Sequence, residues 1–177
     1  KKHLFDEGEN SKIVTFSEYK NINKLDEFLS ELNPDYVINC LGVIKQKMDS
    51  SSPENSIFIN SYFPHLLDKF SQKQNFKIIH FSTDCVFDGN QGSYKETDIP
   101  LPRDFYGLSK LLGELNSETS LTLRTSIIGH EIGSSFSLVE WFLSSKGNVK
   151  GYTKAIYSGF PTVEIARIIH KFIIPNK

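Results

Sequence analysis

Tyr106 and Lys110 stand four residues apart in a stretch predicted to be helical, so both side chains share one face and can reach each other. Ser82, Thr83 and Asp84 follow Phe76-Lys77-Ile78-Ile79-His80-Phe81, the clearest strand signal in the chain. Gly42 follows a second apolar run, where a missing side chain lets backbone approach a flat ligand. A tyrosine hydroxyl near its reference pKa of about 10 is a poor acid–base catalyst at neutral pH. An adjacent ammonium favours the phenolate and is expected to bring that value down. Thr83 is placed to hydrogen-bond a carbonyl oxygen beside the Tyr106 hydroxyl. Together they would polarise a ketone and deliver a proton as hydride reaches its carbon, which is carbonyl reduction or its reverse. Taken one at a time the bland alternatives weigh more. Tyr and Lys at this spacing are more often a solvated helix face, and Ser-Thr-Asp is more often a cap or turn. Their joint occurrence at strand ends favours chemistry.

The elements that must hold these residues alternate between short apolar strands and amphipathic helices. Strands are expected at 12–15, at Tyr36-Val37-Ile38-Asn39-Cys40-Leu41, at 76–81 and at 121–125. The 36–41 run is continuously apolar, as in a parallel strand covered on both faces. Helices are expected from a cap at Asn23 through Leu32, over 55–72, over 105–117, around Leu138 to Leu143, and over 163–172. Trp141, with Leu138 and Phe142, reads as helix packing, with a subunit contact as the alternative. Residues 88–102 carry Gly89, Gly92, Pro100 and Pro102 without either period, and long loops in compact domains are usually functional. The order predicts an α/β fold, a Rossmann-like, doubly wound and mainly parallel sheet. Such sheets bind ligands beyond the carboxyl ends of their strands, here Cys40 to Ile44, Ser82 to Phe87 and Ser126 to Glu131.

Composition narrows the function classes. The 177 residues suit one domain; 38% are hydrophobic and 23% charged, as in ordinary globular proteins. A net charge of −1 gives no field to draw the chain to nucleic acid or an anionic membrane. The apolar runs are far shorter than the roughly 20 residues a bilayer span needs. No cationic segment followed by an apolar core opens the sequence, so a signal peptide is not expected and a cytoplasmic protein is. Cys40 and Cys85 make no disulfide scaffold, and none of the five histidines pairs with another His or Cys at ligand spacing, so no metal site is expected.

The motifs in order are more specific than any one of them. Phe81-Ser82-Thr83-Asp84-Cys85-Val86-Phe87-Asp88-Gly89, then Gly92-Ser93-Tyr94-Lys95-Glu96-Thr97-Asp98, then Tyr106-Gly107-Leu108-Ser109-Lys110 resemble the extended short-chain dehydrogenases/reductases. Within them the resemblance is closest to the dTDP-4-dehydrorhamnose reductase-like sugar-nucleotide enzymes. Pro34 to Gly42 resembles the strand beneath the cofactor, Asn60 matches a structural asparagine of the next helix, and Leu123-Arg124-Thr125-Ser126 resembles the strand after the catalytic helix. Ser158-Gly159-Phe160-Pro161-Thr162 resembles a segment leading to the sugar-nucleotide site.

Carried onto these positions, the resemblance implies Thr83, Tyr106 and Lys110 as the catalytic set, with Tyr106 the proton donor. It implies NADPH or NADH held by Cys40, Leu41, Gly42, Ser82, Tyr106 and Lys110, and a nucleotide sugar met by Thr83, Asp84 and Cys85. Cys85 stands where tyrosine is common, and as a small buried hydrophobe it reads at least as well as a reactive thiol. The implied activity is reduction of a 4-keto nucleotide sugar in polysaccharide or deoxysugar synthesis. An epimerase or dehydratase is the near alternative, against which Cys85 after Asp84, rather than Glu, speaks. A non-catalytic regulatory subunit on the same fold is the other, since fold does not fix role. A homodimer is compatible with the sequence. Members open with a strand and a G-x-x-G-x-x-G phosphate loop, which is not found here. The resemblance therefore implies a central portion of a longer enzyme, truncated at both ends: residues 1–177 a single partial NAD(P)-binding domain, with 126–177 contributing to the substrate side.

Overall fold

In the computed structural model, residues 21–45, 52–130, 137–155, 157 and 159–176 are described. The strand expected at 12–15 lies outside them, as does Ser158. The chain divides between Thr125 and Ser126 into two compact units.

The larger unit carries the sheet. Helix α1 (Ile22–Leu32) starts two residues earlier than expected, because Asn21 rather than Asn23 accepts a hydrogen bond from the Lys24 N–H. It buries Leu25 and Leu29 and stops where Asn33 turns into the left-handed region, at φ 44°. Strand β1 (Tyr36–Asn39) follows, shorter than expected, so that Cys40, Leu41 and Gly42 lie just beyond its carboxyl end. Ser52 caps helix α2 (Pro53–Ile57) with Pro53 in the first turn, where its missing N–H costs nothing. The helix then passes through a π-helical turn, Phe58–Tyr62, into α3 (Phe63–Gln74). Ile59, Asn60 and Ser61 are buried in succession within this turn.

Strand β2 (Lys77–Phe81) is the centre of the sheet, parallel to β1 and to β3 (Ser120–Leu123). Ile78 and Ile79 are each 1% exposed although consecutive strand residues point to opposite faces, so β2 is covered on both sides. After β2 come a short 3-10 turn, Asp84–Val86, and helix α4 (Phe105–Leu111), capped by the Asp104 carboxylate on the Gly107 N–H at 2.8 Å. α4 ends six residues before the expected limit at 117. Tightened bonds, Gly113 N–H to Lys110 O and Glu114 N–H to Leu111 O, close it, and Gly113 packs against the Asn60 carbonyl. The expected α/β fold with a parallel sheet is the fold observed.

In the smaller unit, β4 (Ile127–Ile128) pairs in parallel with β5 (Phe160–Pro161). Pro161 leads into helix α6 (Thr162–Ile168), which continues as a π-helical turn, Ile169–Ile173. Helix α5 (Leu138–Ser144) buries none of its residues, and Trp141 is 48% exposed, so the expectation that Trp141 packs in the interior does not hold within the unit. No helix of the described residues is long and apolar enough to cross a membrane.

Candidate active site

The carboxyl ends of β1 and β2 and the face of α4 supply the site. Thr83 leaves β2 in extended backbone and caps the 3-10 turn, its hydroxyl accepting from the Cys85 N–H at 3.2 Å. α4 can approach this turn because residue 107 is glycine: a Cβ there would collide with the Cys85 carbonyl oxygen. That approach brings Tyr106 close enough to Thr83 for the Thr83 hydroxyl to bear on its phenol. Thr83 is buried and Tyr106 half-buried.

One turn further on, Lys110 is buried, and its Nζ donates to the Phe81 carbonyl at 2.6 Å. A Cβ built on Gly42 would stand 3.8 Å from that Nζ. The ammonium thus lies between the ends of β1 and β2. Its pKa falls to about 8, because burial penalises the charge while Glu114 and Cys40 partly restore it.

The expected effect of Lys110 on Tyr106 is corrected by the structure. The Tyr106 pKa is raised, not lowered: burial dominates, the Thr83 hydroxyl opposes it, and Cys85, Asp84 and Asp104 push the same way as burial. A raised phenol stays protonated at neutral pH, so it holds a proton to give, but as a weaker acid than a free phenol.

The remaining residues singled out by sequence fall as follows. Leu41 and Gly42 form the turn beyond β1, with the Leu41 N–H on Asn39 Oδ1 at 3.2 Å. Cys40 is exposed there and lies within reach of the Lys110 charge. Ser82 is buried and gives its hydroxyl to Glu114 Oε1 at 2.8 Å. Asp84 accepts from the Thr83 hydroxyl at 3.3 Å, and the Cys85 thiol is raised, first by burial.

Supporting contacts surround these groups; Asn60 is the structural asparagine the resemblance implied, whereas Glu114 escaped the sequence reading. Asn60 accepts from the Val43 N–H at 2.8 Å, donates to the Val43 carbonyl, and donates to Ser109 Oγ at 3.0 Å. It ties the turn after β1 to α4. Glu114 takes a forked bond from Arg124 at 2.8–3.1 Å and the Ser82 hydroxyl as well. Arg124 also sits 5.2 Å over the Phe87 ring, which stacks on Tyr94 at 4.4 Å. Lys45 reaches Asp104, the cap of α4, at 2.6 Å. The one sequence signal for Glu114 is its place four residues beyond Lys110, in step with Tyr106 and Lys110.

Comparison with known proteins decides the family. The model of the RmlD substrate binding domain matches residues 7–162. The chain belongs to that family. A dTDP-4-dehydrorhamnose reductase from Aggregatibacter actinomycetemcomitans is 30% identical over 173 residues, 91% of this chain and 59% of the relative. Methionine adenosyltransferase 2 subunit beta from Xenopus laevis is 29% identical over 119 residues, 62% of this chain and 36% of the relative. Among solved structures, a hypothetical dTDP-4-dehydrorhamnose reductase from Sulfolobus tokodaii superposes with a TM-score of 0.80 at 29% identity, over 96% of this chain and 63% of that one. The chain therefore spans less than two thirds of the length of the relatives it matches. The fold is the Rossmann-like α/β fold of these reductases.

Proposed function

We propose that this chain carries the catalytic centre of a cytoplasmic, NAD(P)H-dependent reductase of a 4-keto nucleotide sugar, serving polysaccharide or deoxysugar synthesis. The observation that carries the reading is the placement of Thr83 beside a protonated Tyr106, where Gly107 lets α4 meet the turn after β2, one helical turn from the buried Lys110 ammonium. The turn 40–42 fits a nicotinamide cofactor: Gly42 carries no side chain beside Lys110 Nζ, and among the described residues that ammonium spends one of its three N–H groups, on Phe81. The other two suit the vicinal hydroxyls of a ribose. Bound there with Cys40, Leu41, Ser82 and Tyr106 around it, the cofactor would supply hydride to the carbonyl carbon.

The chain's own residues do the rest. Thr83 donates a hydrogen bond to the substrate carbonyl oxygen and polarises it. Tyr106 gives its phenolic proton to that oxygen as negative charge develops, so hydride on carbon and proton on oxygen complete the alcohol. Lys110 holds its positive charge near the resulting phenolate and favours it. Asp84 and Cys85, next along the turn, face the sugar.

The similarity to a methionine adenosyltransferase subunit favours a second reading, a non-catalytic regulatory subunit on the same fold. NADPH fluorescence titration, followed by turnover of dTDP-4-keto-6-deoxyhexose, separates the two. Binding, with turnover abolished in Tyr106→Phe, supports the reductase. Turnover that survives in Tyr106→Phe, or no turnover beside tight capture of a partner subunit, overturns it.

A further inference from the structure

Asn39 and His80 are register partners on adjacent parallel strands, so their side chains meet on one face of the sheet. Asn39 Nδ2 and His80 Nδ1 are 3.0 Å apart, and both residues are buried. The direction of that bond follows from a third group. The Leu41 N–H can only donate, so the Asn39 atom it meets at 3.2 Å is the carbonyl oxygen Oδ1. The amide NH2 then faces His80, and His80 Nδ1 must accept. Its proton therefore sits on Nε2, which is buried without a hydrogen-bond partner among the described residues. The two preceding strand positions hold buried Ile78 and Ile79, and an aliphatic side chain at residue 80 would leave no orphaned polar atom. Keeping a histidine there calls for a use, and the one use the geometry offers is its Nδ1 lone pair.

We propose that His80 is a positioning residue for the turn Cys40-Leu41-Gly42, acting through Asn39. The imidazole fixes which way the Asn39 amide faces; the amide fixes the Leu41 N–H; and the Leu41 peptide sets where Gly42 stands beside Lys110. At the other end of the turn Asn60 clamps Val43 through both its N–H and its carbonyl. Two asparagines thus hold a four-residue turn at both ends, and only the first depends on a ring nitrogen. That the turn faces a cofactor rests on the function proposed above.

The test compares the unaltered full chain with His80→Phe, which keeps ring packing and loses the acceptor, and His80→Gln, which loses the ring and keeps an acceptor. Hydrogen exchange of the Leu41 amide and the NADPH dissociation constant are measured for each. Positioning through the acceptor predicts Leu41 exchange roughly tenfold faster and NADPH binding roughly tenfold weaker in His80→Phe, with both largely restored in His80→Gln. A packing role alone gives the reverse order and overturns the proposal. If the unaltered chain binds no NADPH while Leu41 exchange still follows the acceptor, the functional reading fails and the positioning stands. Should neither variant fold, 15N shifts of His80 in the unaltered chain decide: a proton on Nε2, with coupling from the Asn39 amide to Nδ1, supports it, and a proton on Nδ1 overturns it.

Discussion

Gly113 lies so close to the main chain of Asn60 that a Cβ on residue 113 would overlap the Asn60 carbonyl oxygen. The obstacle is backbone inside the π-helical turn, not the movable end of a side chain, so neither partner can yield cheaply. Asn60 in turn holds Val43 and Ser109, and Ser109 lies next to Lys110 on α4. Gly113→Ala is therefore expected to cost about 3 kcal/mol of stability, at the upper end of overpacking effects. Gly92→Ala, at φ 70° with open space around it, should cost about 1 kcal/mol from backbone strain alone. Urea denaturation of both variants checks the contrast. Equal losses would show that the α4–Asn60 contact is not tight.

His80 gives the protein an acid sensitivity with a defined sign. Burial first, then the positive charges of Lys110 and His65, bring its pKa down from 6.5 to about 3 in the folded chain. The unfolded chain binds the proton readily below pH 6.5 and the folded chain does not until about pH 3. Stability is thus undiminished above pH 6.5 and declines as pH falls through the window from 6.5 to 3, by up to about 1.4 kcal/mol per pH unit. Thermal melts at pH 7, 5.5 and 4.5 should show a falling Tm, less steep in His80→Gln. An identical slope in that variant would assign the acid sensitivity to other groups.

How far sequence could see explains what it missed. The strands around Ile78 and Val37 were legible because unbroken apolar runs have few other uses, and Tyr106, Lys110 and Thr83 because their types and order are specific. The end of α4 at Leu111 was not, since nothing in Leu111-Leu112-Gly113-Glu114 forbids helix; the stop comes from a carbonyl 53 positions earlier in the chain, at Asn60. The pKa of Tyr106 was misjudged for a related reason. Spacing placed an ammonium nearby, whereas the value is set first by burial, which depends on α4 meeting the turn at Cys85, and then by Thr83, Cys85, Asp84 and Asp104. The Asn39–His80 pair required the register between two strands, which no local pattern encodes.

Lys110 is expected to show opposed effects on activity and stability. Its pKa near 8 means that the buried ammonium is less favourable in the folded chain than in water. Between pH 8 and the usual lysine value the unfolded chain holds the extra proton, so folded stability rises with pH across that window. Lys110→Met fills the space without the charge and leaves one carbonyl, Phe81 O, without its donor. Its Tm at pH 7 should match or exceed that of the unaltered chain, while the turnover and NADPH binding proposed above should be lost. A drop of many degrees would mean that the ammonium's bond to Phe81 holds the sheet end together, and that its role is structural first.

Glu114 joins the chemistry to the long loop after β2. Its carboxylate accepts from Ser82, holds Arg124 in a fork, and supports the positive charge on Lys110. Through Arg124 over Phe87, and Phe87 on Tyr94, the same carboxylate steadies the segment that follows Thr83. The Arg124 and Glu114 side chains are only 25% and 13% exposed, so removing one partner leaves the other poorly solvated. Glu114→Gln keeps the shape and removes the charge. It should cost about 2 kcal/mol, less than breaking a fully buried pair because both side chains keep some solvent. It should also carry the Lys110 pKa further below about 8, moving the alkaline limb of the proposed turnover's pH profile to lower pH. Denaturant titration reads the first effect and the pH dependence of kcat the second. If stability falls but the alkaline limb stays in place, Glu114 braces the loop and has no hold on the ammonium of Lys110.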